Sequence, residues 1–223
     1  MAQHVYQLSH QGHFYIYIMI GLFIIWASLA KSAQLPFSAW LPSAMEGPTP
    51  SSAVFYGALS IHLGPYLLLR SAPFLEQHWS LTFIIGVIGG LTAIYATLVG
   101  RTRSDAKTML AYATMTQLGV IFVEISLGFY KLALVHMVAN ASLRAWQFLR
   151  ASSLIQDFHE NPLVYQDSVI KRQFSIEKIL PATLRMKMYI HALNEFHLDY
   201  FTSHFLKYAF YVPIAQFKRF DRW

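Results

Sequence analysis

The chain has 223 residues, 55% of them hydrophobic and only 13% charged, with a mean hydropathy of +0.38. Soluble domains carry about 25% charged residues, so this composition excludes an ordinary water-soluble enzyme, and the lack of cysteine excludes disulfides, thiolate metal sites and cysteine nucleophiles. The net charge of +6 does not point to nucleic acid, because the basic residues gather in loops and in the C-terminal third, as membrane topology requires.

No secretory leader is expected at the start: the first dozen residues hold no Lys or Arg, and no small-residue cleavage site follows a short apolar core. Crossing a bilayer as helix takes about 20 apolar residues. Phe14 to Ala30 is one such run, slightly short unless it tilts. Leu35 to Met45 is too short to span, carries Pro36 and Pro42, and is followed by Pro48 and Pro50. It reads as the second half of a broken helix. Ser52 to Leu69, Leu81 to Gly100, Met109 to Gly128 and Leu132 to Leu149 supply the remaining runs. Gly86, Gly89 and Gly90 give the third full span a face suited to close helix packing. The expected fold is an all-α polytopic transmembrane bundle over residues 1–152, with about five spans and one broken helix.

The basic loop "GRTRSDAKT" (100–108) marks the cytoplasmic side. Counting spans from it puts Lys31, Arg150, Lys171 and Arg172 on that side as well. Residues 153–223 then form a cytoplasmic region of mixed polarity. Within it Met188, Ala192, Phe196, Tyr200 and Leu206 recur at roughly helical spacing, so an amphipathic helix over 184–218, limited by Pro213, is expected on the membrane surface or against a partner.

Ionisable side chains at membrane depth are costly and face protein or water. Lys31 stands where an apolar run meets the proline-broken segment, whose freed carbonyls and helix ends can hold an ion or a charge. A lysine snorkelling from the end of a span is the alternative. Glu46 is within reach of pairing with Lys31, or else marks a helix end. His62 lies mid-span beside Gly64 and Pro65, either as a satisfied core histidine or as a proton-relay group. Lys107 opens the fourth full span, and Thr114, Thr116 and Gln117 lie in its first turns, polar enough to solvate a lysine. In "HMVANASLR", His136, Asn140 and Arg144 are spaced i, i+4, i+8 and line one helix face. They form either a functional row or a polar packing face.

Taken together these stretches resemble the antiporter-like family of proton-translocating membrane subunits. That family includes the large membrane-arm subunits of respiratory complex I, subunits of membrane-bound hydrogenases and Mrp-type sodium/proton antiporters. "KSAQLPFSAWLPSAMEGPTPSSA" looks like the signature around the family's central broken helix. "SDAKTMLAYATMTQLGV" is similar to the lysine-bearing helix that follows, and "ALVHMVANASLRAWQFL" resembles the family's H-x-x-x-H-A-x-x-K-A-x-x-F-L helix. The pattern is closest to the complex I subunit with the long C-terminal extension.

The resemblance implies that Lys31 is the central protonatable group of a half-channel, that Lys107 links toward the second half-channel and that His136 is a relay histidine. Three departures stand out. Asn140 occupies the place of the family's second histidine, Arg144 that of a protonatable lysine, and Tyr56 that of a common histidine. Arginine is effectively always charged and asparagine does not titrate, so Arg144 is expected to act as a fixed electrostatic barrier. The resemblance covers the end of one inverted five-helix repeat and the start of the other. The helix with the glutamate partner of Lys31 and the second broken helix are outside it, so the chain alone is not expected to form a complete channel.

The implied function is proton or sodium translocation inside a larger membrane complex in a bacterial inner membrane or an equivalent energy-coupling membrane. Other membrane subunits and the bilayer are the expected partners, with no nucleic acid. No cofactor, metal or redox site is expected in this chain. The rival readings are a non-conducting scaffold, such as the membrane component of an inorganic-carbon uptake complex, and a fragment of a split gene.

Overall fold

The computed structural model describes residues 14–160, 181–198 and 200, and among them there is helix and turn but no strand. The first helix, α1 (Phe14–Lys31), ends at Lys31. The chain then turns through residues 32–39 before α2 (Trp40–Ser43) and a 3-10 turn, Ala44–Glu46. The expected half-helix from Leu35 to Met45 is therefore only two short turns. Pro36 and Pro42 remove backbone donors, and buried polar contacts replace the lost ladder. Gln34 Nε2 donates to the Ser32 carbonyl at 3.1 Å, the Leu35 amide to Thr92 Oγ1 at 3.1 Å and Trp40 Nε1 to the Ala30 carbonyl at 3.1 Å.

Pro48 and Pro50 end that segment and open α3 (Thr49–Leu75). Proline is tolerated there because the first helical N–H groups have no intrahelical partner. Within α3, Ser52–Leu59 is wound as a wide π-helix, followed by a tighter 3-10 turn at Ser60–His62. Next come α4 (Trp79–Gly100), α5 (Ala106–Ser126) and α6 (Tyr130–Glu160). Asp105 caps α5: its Oδ2 accepts from the Thr108 amide and from Thr108 Oγ1, both at 2.8 Å. Gly128, at φ +81°, turns the chain from α5 into α6 in a left-handed conformation that suits glycine.

Helices α3, α4 and α5 are long and apolar enough to cross a membrane, and α1 is a shorter apolar helix. The expected fifth span forms the first part of α6, which runs on to Glu160 and includes Lys131, Arg144, Arg150 and Asp157. Its apolar run, 132–149, carries one charge, Arg144, but His136, Asn140 and Gln147 also make it less apolar than α3, α4 and α5, so about five spans stays an expectation. The exposed residues Phe83, Leu91 and Ile94 on α4 and Leu134, Val135 and Val138 on α6 are large and apolar, as a lipid-facing surface requires.

The glycine face acts as expected. A Cβ on Gly89 would stand 2.7 Å from the Gly119 carbonyl oxygen, and one on Gly119 would stand 2.5 Å from that of Gly89. The α4 and α5 backbones touch at this crossing because neither residue has a side chain. A Cβ on Gly90 would instead meet Val123 at an ordinary 3.9 Å contact.

The last described helix, α7 (Ala182–Leu193), matches the beginning of the expected amphipathic helix. The helix is broken at Glu195, Phe196 and His197, which take positive φ after Asn194, and Leu198 and Tyr200 are helical again. Glu195 pairs with Arg103 of the α4–α5 loop, the Phe196 ring lies 6.0 Å from Tyr95, and Ala192 is buried. Tertiary contacts with the basic loop thus override local periodicity. Leu206 and Pro213 lie outside the described residues.

Candidate functional site

His136, Asn140 and Arg144 do share one face of α6, and that face is turned inward onto α5 and α3. Successive members are separated by about 6 Å of helix rise. His136, near the α5–α6 turn, sits between two side chains of α5: its Nδ1 is 2.8 Å from Glu124 Oε1 and its Nε2 is 3.0 Å from Gln117 Oε1. Gln117 and Glu124 are seven residues apart, two turns of helix, and so reach the same ring from either side.

The chemistry of this group follows from its donors and acceptors. An amide oxygen only accepts, so the proton on Nε2 belongs to the ring. Nδ1 and the Glu124 carboxyl then share one further proton, held either as imidazolium beside carboxylate or as neutral imidazole beside carboxylic acid. Both forms have the same net charge. The half-buried pair can therefore pass that proton across a 2.8 Å contact without changing the charge inside the bundle.

One turn along α6, the buried Asn140 Nδ2 is 3.0 Å from Nε2 of His62 on α3, which is also buried. A further turn along, Arg144 Nη1 donates to Gln147 Oε1 at 2.6 Å and Nη2 to the Ala113 carbonyl at 3.1 Å. Arg144 is 8% exposed and forms no salt bridge among the described residues, where its two hydrogen-bond acceptors are neutral oxygens.

Lys107 belongs to the same end of the bundle. Its Nζ donates at 3.0 Å to the carbonyl of Gly47, which the proline-broken segment leaves without a helical partner. The expected solvation by Thr114, Thr116 and Gln117 is not found. Thr114 and Thr116 bond back to the Leu110 and Tyr112 carbonyls, and Gln117 serves His136.

Lys31 ends α1 with its side chain exposed. It lines an open recess of about 400 Å³ with Trp40, Phe55, Tyr56 and Ser60. Glu46 is also exposed, and of its two readings, pairing with Lys31 or marking a helix end, the pair is absent among the described ion pairs and Glu46 closes the 3-10 turn Ala44–Glu46. Of the four prolines assigned to the helix break, Pro36 and Pro42 interrupt the segment and Pro48 and Pro50 close it.

Sequence reasoning missed Glu124 and Gln117 as partners of His136 and the Gly47 carbonyl as partner of Lys107. The seven-residue spacing of Gln117 and Glu124 was the available signal for the first. Tyr56, noted as replacing a histidine, faces Trp40 with ring centroids 6.0 Å apart. The position on α3 that meets α6 with a titratable group is instead His62. Among the described residues, no cluster of histidine and carboxylates suited to a metal ion is found.

The sequence of residues 3–216 matches the model of the NADH:quinone oxidoreductase/Mrp antiporter transmembrane family. The chain belongs to this family. Among relatives, it is 38% identical over 204 residues to NADH-ubiquinone oxidoreductase chain 5 of Allomyces macrogynus, covering 92% of this chain and 30% of that protein. The corresponding protein of Rhizopus stolonifer is 37% identical over 189 residues, covering 85% of this chain and 28% of that protein. That of Cryptococcus neoformans var. grubii is 41% identical over 137 residues, 61% of this chain and 21% of that protein. The chain thus spans less than a third of the length of these relatives. Membership in this family, with three helices able to span, makes it an integral membrane protein.

Proposed function

We propose that this member of the antiporter-like family contributes a proton-relay segment to a larger, multisubunit ion-translocating membrane complex resembling NADH:quinone oxidoreductase. The observation that supports it most is the Glu124–His136–Gln117 group, a carboxyl, an imidazole and an amide in hydrogen-bond contact at the start of the inward-facing row on α6. Lys107, beside the Gly47 carbonyl, continues the polar line at the other end. Lys31 serves as the proton-carrying lysine of the recess it lines, with its carboxylate partner supplied from outside the described residues. Arg144 is the fixed charge that biases the row.

In this role the chain works with other membrane subunits in the lipid of an energy-coupling membrane, the bacterial inner membrane or its equivalent, with protons as the transported ion. Asn140 and Arg144, neither of which titrates near neutral pH, favour a second reading, a non-conducting scaffold.

The two readings part on one experiment. The complex containing this chain is reconstituted into vesicles and the decay of an imposed pH gradient is followed for wild type, Lys31→Ala and His136→Gln. Relay predicts that flux falls by roughly tenfold or more in each variant while the complex stays assembled. Unchanged flux in both variants supports the scaffold and overturns the relay.

A further inference from the structure

We propose that His62 on α3 is the proton-bearing member of the middle of the row, and that Asn140 on α6 is the positioning amide that ties it into line. The proposal rests on the relay reading above and extends it to the level of Asn140, a side chain that neither carries charge nor titrates. Three observations carry it. His62 is the titratable group within hydrogen-bond distance of Asn140, at 3.0 Å, and both residues are buried. The wide turns of Ser52–Leu59 and the tight turn of Ser60–His62 change the winding of α3 just before this ring. They leave Tyr56 toward Trp40 and bring His62 to α6. Such local rewinding is a common mark of functional positions in helices.

The hydrogen bond also specifies a state. An amide nitrogen can only donate, so Nε2 of His62 accepts and its neutral ring carries the proton on Nδ1, a buried nitrogen with no hydrogen-bond partner among the described residues. When the ring gains a proton at Nε2, both nitrogens become donors. Asn140 must then turn its amide and present Oδ1. Loss of a proton from either nitrogen returns the ring to neutral, and no other bond is made or broken. The charged or chargeable groups bearing on this ring from α6 are His136 and Arg144, the two members of the row on either side of Asn140.

The test exchanges the two side chains across the same hydrogen bond, in the assembled complex reconstituted in vesicles, with pH-gradient decay as the readout. His62→Asn keeps a hydrogen-bonding side chain and removes the titratable one. Flux is expected to fall by roughly tenfold or more. The double exchange, His62→Asn with Asn140→His, returns an imidazole to the same level of the bundle and is expected to recover most of the lost flux. A structural hydrogen bond alone would tolerate His62→Asn, so unchanged flux there overturns the proposal. Loss in His62→Asn with no recovery in the exchange also overturns it. Should His62→Asn fail to assemble, Asn140→Ala, which leaves the histidine but cuts its tie to α6, takes its place, and unchanged flux in that variant is equally fatal. His136→Gln separates this proposal from the relay as a whole: flux lost there but kept in His62→Asn overturns only the role of His62.

Discussion

At the scale of single residues, the polar groups of this protein sort by what they can exchange. Glu124 and His136 are in contact through two groups that can exchange a proton, Gln117 meets the far ring nitrogen, and the Arg144 guanidinium can only donate. Glu124→Gln leaves the size and hydrogen bonding of the group nearly intact but removes the shared proton. Vesicle flux is expected to fall by about tenfold or more, with the complex still recovered whole by size-exclusion chromatography. Glu46→Gln, at an exposed side chain with no ion pair among the described residues, is expected to leave flux unchanged in the same assay. A loss for Glu46→Gln equal to that for Glu124→Gln would show that the carboxylate by the broken segment matters as much as the buried one.

At the scale of elements, the helices exist because apolar runs of sufficient length fold into helix in lipid, where every backbone polar group needs an internal partner. The boundaries were therefore legible: α3, α4 and α5 fall close to the apolar runs, and Asp105 and Gly128 mark a start and a stop by their own chemistry. The broken segment was legible as a break but not as a shape. Prolines forbid regular helix without saying which polar side chains will take up the freed groups. The Gly89–Gly119 crossing yields a prediction at this scale. Gly119→Ala places a methyl 2.5 Å from the Gly89 carbonyl oxygen and 2.9 Å from the Ala93 nitrogen, both backbone atoms that cannot swing aside. A loss of about 1–3 kcal/mol is expected, seen as a lower thermal unfolding midpoint of the detergent-solubilised complex. Gly90→Ala, whose methyl would meet Val123 at an ordinary 3.9 Å contact, should leave that midpoint alone.

At the scale of the whole molecule, α7 is fastened to the bundle beside the loop that leads into Lys107. Arg103 is at the centre of that attachment, paired with Glu195 and lying 5.6 Å from the Tyr112 ring centroid. Arg103→Ala removes both contacts. With about 1 kcal/mol lost for a partly exposed pair, amide hydrogen exchange in Ala182–Leu193 should rise roughly fivefold, and high salt should raise it in wild type too. Exchange indifferent to both changes would mean that the buried Ala192 and the Phe196–Tyr95 contact hold the helix without help from charge.

The sequence by itself determined that this protein is a membrane helix bundle, where its helices run and that His136, Asn140 and Arg144 share a face. Apolar length and a 3.6-residue period are local properties, and each can be counted along the chain. Only the tertiary structure decided what that face meets: Glu124 and Gln117 at one level, His62 at the next and the Ala113 carbonyl beyond. It also decided that Lys107 reaches Gly47 while Lys31 and Glu46, both exposed, form no ion pair with each other. Those partners lie 12 to 78 residues apart along the chain. Which of them meet depends on how α3 winds, how closely α4 approaches α5 and where the prolines turn the backbone. No local pattern carries that information, because rotating a helix about its axis changes all its partners and none of its residues.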